Sequence, residues 1–129
     1  MENTVPLGIV VNENKILLVN RRFPPLVWGP PGGFVNTNES LIETAEREIL
    51  EETGITCKAI DTIIHEFEAY NTRLVVYACQ YISGSLRCSY ESKDLGWFGL
   101  DNLPSPLSPS EECYKIAIDL IHSLYGALK

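Results

Sequence analysis

The stretch GFVNTNESLIETAEREILEETGI, residues 33–55, decides how the rest of the chain is read. It carries the punctuation of one amphipathic helix, predicted over about 40–53. Ser40 and Glu43 stand at capping-box spacing, and Gly54 suits the left-handed residue that closes a helix. Leu41, Ile42, Ala45 and Ile49 recur at helical spacing and form the stripe for a core. Beside that stripe lie Glu48, Glu51 and Glu52, within an arc of roughly 100° for a helix of 3.6 residues per turn. Carboxylates this close repel one another. On composition alone they read as a solvated acidic face. The crowding also suits a cation gathered among oxygen ligands, and hard oxygen ligands favour Mg²⁺ or Mn²⁺. Arg47 flanks the acids, within reach of Glu43 or Glu51 at i,i±4.

Working outward, the run 5–11 is apolar and β-branched and predicts a strand. Residues 12–14 form a turn and 15–20 the return strand of a hairpin. The segment 21–31 holds four prolines and predicts a loop carrying Arg21, Arg22, Phe23 and Trp28. Behind the helix, 56–70 alternates, with Ile63, His65, Phe67 and Ala69 on one face and Ile64, Glu66, Glu68 and Tyr70 on the other. A turn at 71–72, a strand over 73–82 and a turn at 83–85 come next. A short strand is predicted at 86–88, then a polar loop over 90–94 and a last strand at 96–100. Ser108, Pro109 and Glu111 read as the cap, first and third positions of a second helix. Its buried stripe is Cys113, Ala117, Leu120, Ile121 and Leu124. Strands and helices in this order predict an α/β chain, a single domain over 1–129.

The residues Gly33, Glu39, Arg47, Glu48, Ile49, Glu51, Glu52, Gly54 and Ile55 resemble the box of the Nudix hydrolase family, the MutT-like pyrophosphohydrolases, with no departure. A chance match is on the order of one in ten million per chain at average residue usage. The resemblance implies an α/β/α sandwich with a mixed sheet between helices. It implies a Mg²⁺-dependent hydrolase, with Mn²⁺ as the alternative, in which metal-activated water attacks phosphorus. The bond cut would be the pyrophosphate of a nucleoside diphosphate linked to another moiety, as in a nucleoside triphosphate or ADP-ribose. Glu48, Glu51 and Glu52 are then the metal ligands, with the backbone carbonyl of Gly33, while Arg47 holds a glutamate in place and Glu39 supports the ligands. In the family the general base is a box glutamate or an acid from a later loop. Glu91 is the first such candidate, then Asp94, with Glu66 and Glu68 as further options. Substrate contacts are expected from Arg21 and Arg22 toward phosphate, and from Trp28 and Tyr70 toward a base, with Phe23 assigned to packing. No proline falls between Ile55 and Pro104, which counts against the proline signature of the ADP-ribose subgroup. The alternative reading is a catalytically silent nucleotide-sensing Nudix domain; such domains often lose a box glutamate, and here all are present.

The totals agree with a small anionic ligand held through a metal. Net charge is −7, which repels nucleic acid polymers and anionic membranes. No apolar run nears the roughly 18 residues of a membrane span, and the first residues lack a signal-like stretch, so a cytoplasmic protein is expected. The four cysteines, Cys57, Cys79, Cys88 and Cys113, lack CxxC spacing, which argues against zinc and for reduced, mostly buried thiols. A homodimer is open, with the apolar strand 73–82 as a candidate surface.

Overall fold

The computed structural model describes residues 3–126. Its central strands are apolar on both sides of the pleat, and this sets the layering. In β1 (Asn3–Asn12), β2 (Lys15–Arg21) and β5 (Thr72–Gly84), alternate side chains go to opposite faces. Ile9, Val11, Ile16, Leu18, Val76 and Ala78 pack on one side; Val10, Leu17, Val75, Tyr77 and Cys79 pack on the other. A sheet buried on both faces needs a cover on each. One cover is α1 (Leu41–Thr53), whose Ile49 joins the second set. The other is α2 (Glu111–Tyr125), whose Cys113, Tyr114, Ala117, Ile118 and Ile121 join the first. The result is an α/β/α sandwich with a mixed sheet, as expected.

Among the described residues the sheet has six strands. β5 pairs with β1 in parallel and with β4 (Ile55–Ala69) antiparallel. β6 (Ser92–Gly99) runs antiparallel along all of β2. The other edge of β2 is shared between β1 near Ile16 and β3 (Trp28–Gly29) near Val19. No helix among the described residues is long and apolar enough to cross a membrane.

Several elements differ from their sequence reading. The two-residue β3 lies inside the proline-rich segment expected as loop. β5 extends to Gly84, which pairs with Ile55, so the turn expected at 83–85 is strand for most of its length. Residues 86–88 form no strand; Arg87 instead turns back to α1, its amide donating to Thr53 O. Cys88 is therefore exposed, whereas Cys57, Cys79 and Cys113 are buried free thiols as expected. β4 keeps no single alternation, because its pairing with β5 shifts between Ala59 and Ile63 and again between Ile63 and His65. The first shift inserts two residues and keeps the facing, whereas the second inserts one and inverts the facing of the residues beyond it. Ile64 and Phe67 thus pack on the same core cluster while Ile63 is exposed. The second helix is capped by Ser110, whose side chain accepts from Cys113 N, and not by Ser108. Ser108 is occupied elsewhere: its amide donates to Trp28 O and its carbonyl accepts from the Tyr114 hydroxyl. Leu124, expected in the buried stripe, is exposed, and Tyr114 and Ile118 take the buried places.

Candidate active site

The first turn of α1 forms as its sequence dictates. Ser40 Oγ accepts from Glu43 N at 3.0 Å, and Glu43 Oε1 accepts from Ser40 N at 2.9 Å. Gly54 ends the helix at φ 80, a region that costs other residues about 1–2 kcal/mol. The helix so fixed presents Glu48 and Glu52 toward a cleft of about 410 Å³. The cleft is walled by the loop after β2, the 29–34 segment, and the ends of β4 and β5. Gly33 lies against Glu48 so closely that a Cβ there would overlap the carboxylate and displace it.

Three carboxylates meet at the cleft. Oxygens of Glu48, Glu52 and Glu91 lie within 4.8 Å of one another. Two come from one helix; the third comes from the turn that leads into β6. Glu52 is 7% exposed, and Gly32 N donates to its Oε2 at 3.3 Å. Burial first, and then the charges of Glu48 and Glu91, push its carboxyl up to about 8. Burial likewise raises Glu48, against the opposing pull of Arg47. The protein thus spends folding free energy to crowd acids that resist ionising together. The donor set, three carboxylates and nearby main chain, is one that a hard divalent cation would satisfy.

Arg47 organises the acids from the flank. Its Nε and Nη2 donate to the two Glu39 oxygens at 2.6 and 3.0 Å. Nη1 reaches Glu48 Oε2 at 3.2 Å and Glu51 Oε1 at 3.0 Å, and Nη2 also donates to Phe34 O at 3.0 Å. The guanidinium holds the Glu39 carboxyl down to about 2. Glu39 also accepts from Asn36 N and Thr44 Oγ1, so it braces the loop entering α1. Glu51 stands outside the group of three, 59% exposed in its pair with Arg47.

The remaining sequence candidates are divided by the fold. Arg21 and Tyr70 line the cleft, and Tyr70 is 74% exposed at the β4–β5 turn. Phe23, assigned to packing, is also exposed on the cleft wall. Trp28 is not among the residues lining the cleft; it packs edge-to-face on Phe98, centroids 5.2 Å apart. Arg22 points to the turn that carries Glu91, not to the cleft. Glu66 pairs with Arg73. Asp94 accepts from Leu95 N within β6. Among the described lining residues Arg21 is the one basic side chain. A sequence reading misses the apolar wall of Val5, Leu7, Val19 and Leu74, since strand ends lining a cleft look like strand ends entering a core.

Comparison with known proteins agrees with this geometry. The NUDIX domain family model matches residues 3–115. An ADP-ribose pyrophosphatase of Methanocaldococcus jannaschii is 32% identical over 84% of this chain and 68% of its own length. An NAD-capped RNA hydrolase, NudC of Vibrio cholerae, is 37% identical over 60% of this chain but only 29% of its own length. The chain therefore spans well under half of that relative. A crystal structure of an ADP-ribose pyrophosphatase from Streptococcus suis superposes with a TM-score of 0.77, covering 93% of this chain and 92% of that one at 23% identity. That likeness speaks to the fold.

Proposed function

The chain belongs to the Nudix family, and a relative it resembles is named an ADP-ribose pyrophosphatase; on this premise we propose that it is a pyrophosphohydrolase that cleaves the pyrophosphate of a nucleoside diphosphate linked to another moiety, using Mg²⁺ or Mn²⁺. The observation that carries the reading is the convergence of Glu48, Glu52 and Glu91 within 4.8 Å at a cleft. Glu48, Glu52 and Glu91 would hold the cation, beside Gly33, with Glu51 as a further carboxylate of the set. Bound there, the cation would supply positive charge for the phosphate oxygens and lower the pKa of the attacking water.

The chain's own groups do the rest. Arg47 keeps Glu39, Glu48 and Glu51 in one arrangement, so the acids need not reorganise when substrate arrives. Glu91 is the exposed member of the three, and we assign it the proton of the attacking water. Arg21, on the cleft wall, would meet a phosphate oxygen. Phe23 and Tyr70 offer aromatic faces on the outer walls for a nucleobase. With one lining arginine in a chain of net charge −7, the cleft accepts a diphosphate only with the cation's help.

ADP-ribose is the first compound to test, because relatives bear that name. Nucleoside triphosphates, dinucleoside polyphosphates, NAD and NAD-capped RNA complete the panel, with phosphate released by a phosphatase as readout. Hydrolysis of one preferred compound with Mg²⁺, abolished by chelation, is the expected result. Nucleotide binding without turnover of any compound would turn the reading to a sensor. Glu52→Gln should cut kcat by at least about 10²-fold with the fold intact. Glu51→Gln should cost less, because Glu51 lies outside the group of three.

A further inference from the structure

Arg22 is exposed and adjacent to the cleft loop, yet its side chain turns away from the cleft. Its Nε donates to Tyr90 O at 2.7 Å and its Nη2 to Ser92 O at 3.4 Å. Its own amide donates to Glu91 O at 3.1 Å. One residue therefore holds three successive carbonyls, and Glu91 is the middle one. From the far side, Ser89 Oγ accepts from Glu91 N and Ser89 O accepts from Ser92 N, each at 3.3 Å. Ser92 is 3% exposed, so this end of the turn is anchored in the protein. The β2–β6 ladder explains why an anchor is needed. Asn20 faces Asp94 and Arg21 faces Ser92, which leaves Lys93 as an extra residue. Such a bulge re-aims the chain and interrupts the ladder that would otherwise fix it.

We propose that Arg22 is a positioning residue: its guanidinium fork locks the 90–92 turn so that the Glu91 carboxylate stays beside Glu48 and Glu52. The proposal rests on the hydrolase reading for what Glu91 does, but the lock itself does not. Glu91 is the one member of the three not tied to α1, and repulsion from the other two pushes it outward. Main-chain restraint of its turn opposes that push. Arginine suits the task because its fork presents several donors in a fixed plane, so two carbonyls two residues apart can be held at once. Lysine keeps the charge but not the fork.

The test compares wild type, Arg22→Ala, Arg22→Lys, Glu91→Gln and the Arg22→Ala/Glu91→Gln double variant. Mn²⁺ affinity is read from the spin-resonance signal of free Mn²⁺, and kcat and KM from the preferred substrate. Arg22→Ala should weaken Mn²⁺ binding and lower kcat, each by about 10-fold, the size seen when a residue supporting a ligand is removed. KM should change by less than about twofold, and in the Glu91→Gln background Arg22→Ala should add less than about twofold, because the two act as one unit. Arg22→Lys should resemble Arg22→Ala. A rise in KM at constant kcat, rescue by lysine, or an equal cost in the Glu91→Gln background would instead make Arg22 a phosphate contact and overturn the proposal. Amide exchange at Glu91 and Ser92 in metal-free protein should quicken in Arg22→Ala; unchanged exchange overturns the lock. That measurement stands even if the wild-type chain hydrolyses nothing on the panel, an outcome that would defeat the functional reading alone.

Discussion

Arg47 and Glu52 show two opposite uses of charge a turn apart. Arg47 gains from Glu39, Glu48 and Glu51 together, and its planar fork reaches all three plus Phe34 O. Lysine offers a point charge with no such fork. Arg47→Lys should therefore lower kcat by at least about 10-fold while its melting temperature stays near that of wild type, since the guanidinium lies near the surface; steady-state kinetics beside a thermal melt checks both. Glu52 is held at a loss. Its folded carboxyl is raised to about 8 from an ordinary value near 4.5, so folding favours the protonated form. The stability this contributes is fully present below the ordinary value and is lost as pH rises through about 8. Glu48 shifts in the same direction. Glu39, held down to about 2, has the reverse sign and gives way only in strong acid, outside this window. In chelator, the melting temperature should fall between pH 5 and 8 for wild type and fall less for Glu52→Gln. A flat wild-type profile would mean the site is wetter than the structure places it.

Helix α1 was legible to within a residue because all its signals are local. The capping box, the apolar stripe and Gly54 each need only near neighbours in sequence, and each is present in the folded chain. The two ends can be tested separately. Ser40→Ala removes the acceptor for Glu43 N and should cost about 1 kcal/mol. Gly54→Ala should cost about 1–2 kcal/mol for the left-handed backbone and more besides, since its Cβ would sit 2.6 Å from Ser85 O; denaturant midpoints for both variants give the comparison. What the sequence hid depends on partners far away in the chain. The β4 bulges arise from pairing with β5, and an unbroken alternation in sequence carries no trace of them. β3 exists because Trp28 and Gly29 find the edge of β2, not because two residues prefer strand. At the site, helix spacing puts Glu48, Glu51 and Glu52 on one stripe, of which the fold brings Glu48 and Glu52 together and leaves Glu51 exposed; Glu91 stands only among several later-loop acids that the family resemblance allows as base. The turning of Arg22 toward carbonyls was not legible, because main-chain acceptors are the same in every sequence. Likewise the exposure of Phe23 and the partial burial of Trp28 depend on which side of the loop meets Phe98.

At the scale of the molecule, the cleft lies where separately anchored parts converge. α1 brings Glu48 and Glu52 from one face of the sheet, the 29–34 segment brings Gly33, and the turn before β6 brings Glu91. Each part is fixed by its own contacts: Ile49 in the core, Gly8 N donating to Pro31 O, and Arg22 N donating to Glu91 O. A cation bound among the three carboxylates would tie these separately anchored parts together. A ligand that binds only the folded state stabilises it by about 2.7 kcal/mol at 100 times its Kd. For a chain of this size each kcal/mol is worth roughly 3–5 °C, so saturating Mg²⁺ should raise the melting temperature by about 10 °C. Part of any such rise would come from screening the net charge of −7, an effect that monovalent salt also produces. The comparison is therefore made at matched ionic strength in NaCl, with Glu52→Gln alongside. A Mg²⁺-specific rise that Glu52→Gln largely removes locates the gain at the three carboxylates. An equal rise in both proteins would mean general screening, and the acids of α1 would then be no more than a charged surface.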